Sequence, residues 1–319
     1  MDSLIKIDGK PIEKLIEVVS NAIGTLYEPR QLVRIARAEA EADRIKAIEG
    51  AKTEALLAND EGRYTELSAI EKRMVAKELK RQNNINNVVA VAAQSLKDDK
   101  DVSSEPVNPD WATRFFDIAQ DISDEAMQDL WGRILAGEVT RPKSYSLRTL
   151  DVLKNITREE AELFEKAAQY VLYDGSYYLY HFSGTANESM PIEYEDVARL
   201  IEIGLIQPDS SVTQNYYYDE TSTNIAYLFY GKKYVALIEI TPELKKVSFP
   251  IYSLTRAGVE LYHLIPFTPD LAYLEQVLQR ISKTNKKCHI KYAALTKLDY
   301  AKEEFVYDDK TIIEINPNS

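Results

Sequence analysis

The chain has 319 residues, 45% of them hydrophobic, and carries 39 lysines and arginines against 51 aspartates and glutamates, a formal charge of -12. That apolar share over that length supports two or three packed domains and excludes wholesale disorder. The negative balance argues against a strongly basic nucleic-acid binder, because a polyanion is repelled by a surface of its own sign.

The excess is local. Residues 82–269 hold 16 basic and 28 acidic groups, whereas 270–319 hold 8 of each. This predicts a solvated acidic surface in the middle of the chain, or a face for a basic partner. The single cysteine, Cys288, forms no intrachain disulfide, which points to a reducing, cytoplasmic setting. No basic region followed by an apolar run opens the sequence, and no run of about 18 apolar residues predicts a membrane span.

The first third is helical in pattern. Ile12, Leu15, Ile16, Val19, Ile23 and Leu26 recur on one stripe after Pro11, predicting an amphipathic helix over 11–27. Its polar positions include Glu13, Lys14 and Glu17, so it lacks the cationic face of a membrane-surface helix, and membrane contact is the lesser expectation. Residues 30–58 are rich in Ala, Glu, Arg and Lys, with a thin stripe through Leu32, Ile35, Ala38, Ala42, Ile45 and Ile48. A second long helix runs to about 96, with stripes Leu67, Ile70, Met74, Leu79 and then Ile85, Val88, Val89, Ala92, Ala93, Leu96. Asn83, Asn84, Asn86 and Asn87 between the stripes read as a polar face, or less favourably as residues that set a helix register. The pattern predicts a coiled-coil-like hairpin over 1–97 that needs copies of itself or other partners, followed by a linker over 98–107.

Residues 108–172 predict a compact helical bundle. Asn108 and Pro109 start one helix bearing Trp111, Phe115 and Phe116. Ser123 is the expected cap of the next, which carries Trp131, Ile134 and Leu135 to a stop at Gly137. A third helix spans 146–155, and Thr157 with Glu160 forms a capping box for a fourth that carries Leu163 through Val171. Trp131 and Leu135 are expected to pack and Arg133 to pair with Glu138. The functional alternative places Glu138, Arg141, Lys143 and Arg148 along a polar cleft.

The stretch Asp129-Leu-Trp-Gly-Arg-Ile-Leu-Ala-Gly-Glu-Val139, with Arg141-Pro-Lys-Ser-Tyr-Ser-Leu-Arg-Thr-Leu-Asp-Val-Leu-Lys-Asn155, resembles a bacterial family of unknown function, DUF2806. Ala22-Ile-Gly-Thr-Leu-Tyr-Glu-Pro29 is similar too, and the resemblance is good over about the first 170 residues and loose beyond. It implies a setting in prophages or genomic islands, hence mobile-element or anti-phage biology, and supplies no catalytic residues.

Beyond 172 the pattern changes. Of 21 tyrosines, 14 fall between Tyr170 and Tyr262, as suits strands and interfaces. A helix over 191–203 precedes Gly204-Leu205-Ile206. Strand runs follow over 215–218, 224–230 and 234–240, with a turn at Gly231-Lys232-Lys233, and Thr255 caps a helix after 252–254. This order resembles a winged-helix module over 173–268, although the helix is acidic and DNA contact is disfavoured. Residues 269–319 predict a small unit with one helix and strands near 288–295, 304–307 and 311–315. Arg280, Lys283, Lys286, Lys287 and Lys291 form its basic patch, a solvated helix end or a contact for an acidic partner.

The expectation is therefore an α+β chain, mainly α, with a helical first half and a winged-helix-like second half. Cys288 and His289 are adjacent and not spaced as a zinc site, and no phosphate-cradling glycine motif or serine elbow occurs. No metal, cofactor or catalytic residue is assigned. The favoured role is a non-enzymatic, self-assembling protein-interaction component of an anti-phage system or mobile element. The alternatives are an acidic winged-helix transcription regulator and a metal-dependent nuclease effector. The candidate contact residues are Trp131, Arg133, Glu138, Arg141, Arg148, Lys283, Lys286, Lys287 and Lys291.

Overall fold

The computed structural model describes residues 9–24, 27, 66–97, 102–182, 192–209, 212–286, 288–299, 302 and 304–316. The predicted helix over 30–58 and Lys287 lie outside them. The chain divides into two units, Met1–Leu150 and Asp151–Ser319.

In the first unit, α1 (Lys10–Ile23) has its proline in the first turn, as expected. It buries Ile12, Leu15, Val18 and Val19, packing on α3 (Pro109–Ala119) and α4 (Glu125–Thr140). The face considered for a membrane surface is thus turned into the unit. Among the described residues no helix is long and apolar enough to cross a membrane.

The 30-residue α2 (Glu66–Ser95) lies mainly against α4. Its second stripe is buried, with Val88, Val89 and Ala92 fully covered. The asparagines between the stripes do more than form a polar face. Asn84 is buried and donates to the Gln120 carbonyl at 2.8 Å, while its own carbonyl accepts from Gln128 at 3.1 Å. Asn87 donates to Gln128 at 3.0 Å. These bonds satisfy polar groups that burial would otherwise penalise, and they fix α2 against the α3–α4 connection.

Asn108 caps α3 by accepting from the N–H groups of Asp110 and Trp111. Asp124, not Ser123, caps α4, accepting from the Met127 N–H at 3.0 Å; the Ser123 hydroxyl faces Asn84 instead. Helix α4 also continues past Gly137 to Thr140. The glycine is there for space, because a Cβ would lie 2.9 Å from the buried Tyr145 ring.

Helix α5 (Leu147–Leu153) spans the division. In the second unit, α6 (Arg158–Ala168) opens with the predicted capping box of Thr157 and Glu160. The chain then leaves the helix earlier than its apolar spacing suggests, and Val171 begins a strand. The strands β1 (Val171–Tyr173), β2 (Tyr177–Tyr180), β3 (Thr213–Tyr217), β4 (Ile225–Tyr230), β5 (Tyr234–Glu239), β6 (Lys246–Ser253), β7 (Ile290–Asp299), β8 (Glu304–Tyr307) and β9 (Ile313–Glu314) form one sheet. Every pairing is antiparallel; the order is β3-β6-β2-β1-β4-β5-β7-β8, with β9 also on β7. The tail segment 269–319 supplies strands to this sheet rather than forming a small unit of its own.

Alternation along the strands puts Tyr230, Phe249, Ile251 and Tyr292 into a single core. Helix α9 (Leu271–Thr284) fills it with Leu274, Val277, Leu278 and Ile281. The two shorter helices are α7 (Tyr194–Glu202) and α8 (Arg256–Tyr262). They are tied through Thr255, whose hydroxyl donates to the Gly204 carbonyl at 2.6 Å and accepts from the Gly258 N–H at 3.1 Å.

His263, at the end of α8, stands edge-on to Tyr177 at 5.3 Å. Burial, and then the nearby Lys232 charge, hold its imidazole below the ordinary value of 6.5. Unfolding restores the ordinary value, so the unfolded chain takes up the extra proton first. The stability gained by keeping His263 neutral is present above about pH 6.5 and is lost as pH falls through the folded value. Urea midpoints at about pH 7.5 and about pH 5.5 should therefore differ less in His263→Gln than in the parent chain; an unchanged difference would contradict this assignment.

Candidate functional site

Two surfaces stand out, one in each unit. On α2 four apolar side chains stand in solvent: Ile70 is 43% exposed, Met74 62%, Val75 60% and Leu79 61%. Ile70 and Met74 stand one turn apart on one side, and Val75 and Leu79 one turn apart on another. Glu71, Lys72, Arg73, Lys77, Glu78 and Lys80 lie between and around them.

In the second unit an aromatic cleft opens where β1 and β2 part. Their ladder pairs Val171 with Leu179, and the next rung would join Tyr170 and Tyr180. The Tyr273 hydroxyl enters there instead. It donates to the Tyr170 carbonyl at 2.8 Å and accepts the Tyr180 N–H. The strands separate around it and leave a space of about 60 Å³. Tyr170, Tyr180, His181, Phe182, Tyr252 and Tyr273 line this space, with Leu179, Ile192, Tyr194 and Val197.

The rings are steeply inclined to one another. Tyr170 and Tyr273 meet at 4.8 Å and 64°, Tyr273 and Phe182 at 6.1 Å and 58°, and Phe182 and Tyr180 at 4.8 Å and 69°. His181 lies over Tyr252 at 4.3 Å. Burial pushes the Tyr180 phenol up to about 12 against the opposing pull of Arg280, and burial raises Tyr252 as well. These phenols are neutral at physiological pH.

The predicted contact residues fall in both units. Trp131 is fully buried between helices. Arg133 pairs with Asp129 at 3.0 Å. Glu138 is buried and accepts the backbone N–H groups of Lys143 at 2.7 Å and Tyr145 at 3.0 Å. It organises the turn after α4. Arg141 and Arg148 are exposed on either side of that turn, and the Lys143 side chain pairs with Glu105. Lys283 and Lys286 are exposed at the end of α9, and Lys291 sits on β7 opposite Glu314. Asn285 exchanges hydrogen bonds with the Ser248 backbone at 2.8 and 3.0 Å, which brings this lysine-rich end beside β6.

Among the described residues no three His, Cys, Asp or Glu side chains are placed to hold a metal ion. Cys288 is buried, and burial pushes its thiol up to about 11, so it is protonated near neutrality. In the folded protein it should resist a thiol reagent at pH 7 and react on unfolding. Fast labelling of the native chain would contradict that placement.

Sequence reasoning missed the cleft. Its signal was present only as the tyrosine enrichment, since the residue that opens it, Tyr273, lies 103 positions from its carbonyl partner.

No curated protein and no solved structure matches the chain. A family model does, over residues 68–278, and this span reaches well into the sheet-bearing unit but leaves out Ala22 to Pro29, where the sequence had looked similar. On that match, over most of its length, the chain belongs to the family described as "Protein of unknown function (DUF2806)".

Proposed function

We propose that this protein is a non-enzymatic, self-assembling interaction component, acting in the cytoplasm within an anti-phage system or mobile element. The observation that carries the self-assembly is the exposure of these apolar side chains on α2. Four large apolar side chains in water forgo roughly 1 kcal/mol or more apiece relative to burial. A second copy is the occupant that the charges favour. Placed antiparallel across Met74, it sets Glu71 of each helix towards Lys77 and Lys80 of the other, a self-complementary twofold arrangement. The acidic middle of the chain and the lysines at the end of α9 offer further complementary faces for a protein partner. The phage-related setting rests on the family resemblance alone.

Sedimentation across a concentration series tests the assembly. The parent chain should associate, and Met74→Glu should be monomeric with its secondary structure intact. Phage plating with the two chains then tests the setting; equal plating by both would remove it.

One observation favours a second reading, an acidic winged-helix regulator. Ile206 bridges Leu254, and Thr255 ties the end of α7 to α8, as a helix–strand–helix knot would require. Against DNA contact, α7 carries Glu195, Asp196 and Glu202, and its Arg199 is paired with Glu160 at 3.5 Å. The hairpin β4–β5, which would have to serve as the wing, is an interior part of the sheet. A regulator would bind operator DNA with a steep salt dependence; the favoured reading expects none.

A further inference from the structure

We propose that the aromatic cleft of the second unit binds an alkylated ammonium group. Its walls include the rings of Tyr170, Tyr180, Phe182 and Tyr273, inclined pairwise by 58–69°, and an aromatic lining of this kind can offer π faces to whatever enters. Those faces carry negative quadrupole potential and attract a cation. The charges nearby are of both signs. Glu193 and Glu195 flank the lining residue Tyr194, and Asp196 follows, partly engaged by Lys166 at 3.5 Å. The opposing charge is Arg280, near Tyr180. An anionic ligand would meet the acidic start of α7.

The lining also separates alkylated from plain ammonium. Among the described residues no carboxylate lines the space, and the Tyr273 hydroxyl is already committed to the Tyr170 and Tyr180 backbone. A bare ammonium entering it would lose water from its N–H donors without full replacement, at a cost of several kcal/mol. Methyl groups in place of those hydrogens remove that cost and fit the apolar walls. This inference is independent of the self-assembly through α2.

The test uses the full chain and calorimetric or NMR titration with choline and with its neutral isostere, 3,3-dimethylbutanol. Choline should bind roughly tenfold more tightly, the worth of a partly desolvated cation–π contact. Phe182→Leu should weaken choline by a similar factor, and Tyr180→Phe, which keeps the ring, should leave it nearly unchanged. A trimethyllysine peptide and its unmodified counterpart separate the sources. A methylated peptide that outcompetes choline assigns the site to a protein side chain, and equal affinity assigns it to a free head group. Equal binding of choline and the isostere by the parent chain, or no binding of choline at roughly 100 mM, would overturn the proposal whatever the variants do.

Discussion

Replacing Glu138 by alanine should lower the stability of the first unit by about 2–4 kcal/mol, because two backbone N–H groups lose their acceptor in a place water does not freely reach. Both carboxylate oxygens are used, one for Lys143 and one for Tyr145. The Tyr145 bond is buried, and the Tyr145 ring packs against the helix at Gly137. Glu138→Gln keeps one acceptor and turns an NH₂ group towards the other N–H, so it should fall between the parent and the alanine variant. Denaturant unfolding measures all three. A Glu138→Gln chain that keeps its stability but loses its biological effect would show that the carboxylate serves chemistry, as the polar-cleft reading required.

Gly132→Ala should destabilise the same unit by about 1–3 kcal/mol through overpacking. A Cβ at this position would stand 2.4 Å from Val91 Cβ and 2.9 Å from the Val88 carbonyl oxygen. The helix-propensity gain of alanine, about 1 kcal/mol, works in the opposite direction and is smaller than a clash with backbone. Val91→Ala in the same chain should recover part of the loss, giving a measurable coupling between α2 and α4. A Gly132→Ala chain more stable than the parent would mean that the two helices do not approach as closely as described.

These two positions also show what was legible in the sequence. Several helix starts were, because capping is local: Asn108, Thr157 with Glu160, and Thr255 lie within a few residues of the N–H groups they accept. Whether Glu138 faced a cleft or a turn was not, since its partners depend on how residues 141–145 fold back. The asparagines of α2 were misjudged for a similar reason: Asn84 and Asn87 find partners 36 to 44 positions away. Strands β1 and β2, of three and four residues, follow a helix whose apolar spacing runs on to Val171, and no local signal separates them from it. The strand runs further along were readable from their alternation, but their union in one nine-stranded sheet came from pairings such as β5 with β7 and β6 with β2, which no local pattern encodes.

If α2 meets a second copy of itself near Met74, a cysteine placed there should join the two copies by a disulfide. A residue near a twofold axis lies close to its own counterpart, and Cys288, buried with its thiol protonated, leaves the new cysteine as the reactive one. Under mild oxidation Met74→Cys should give a covalent dimer in high yield, while a control cysteine at the exposed Arg158 on α6 should not. A Met74→Cys chain that stays monomeric under the same oxidation, as it would if residues 28–65 of the same chain covered that face, would contradict that contact.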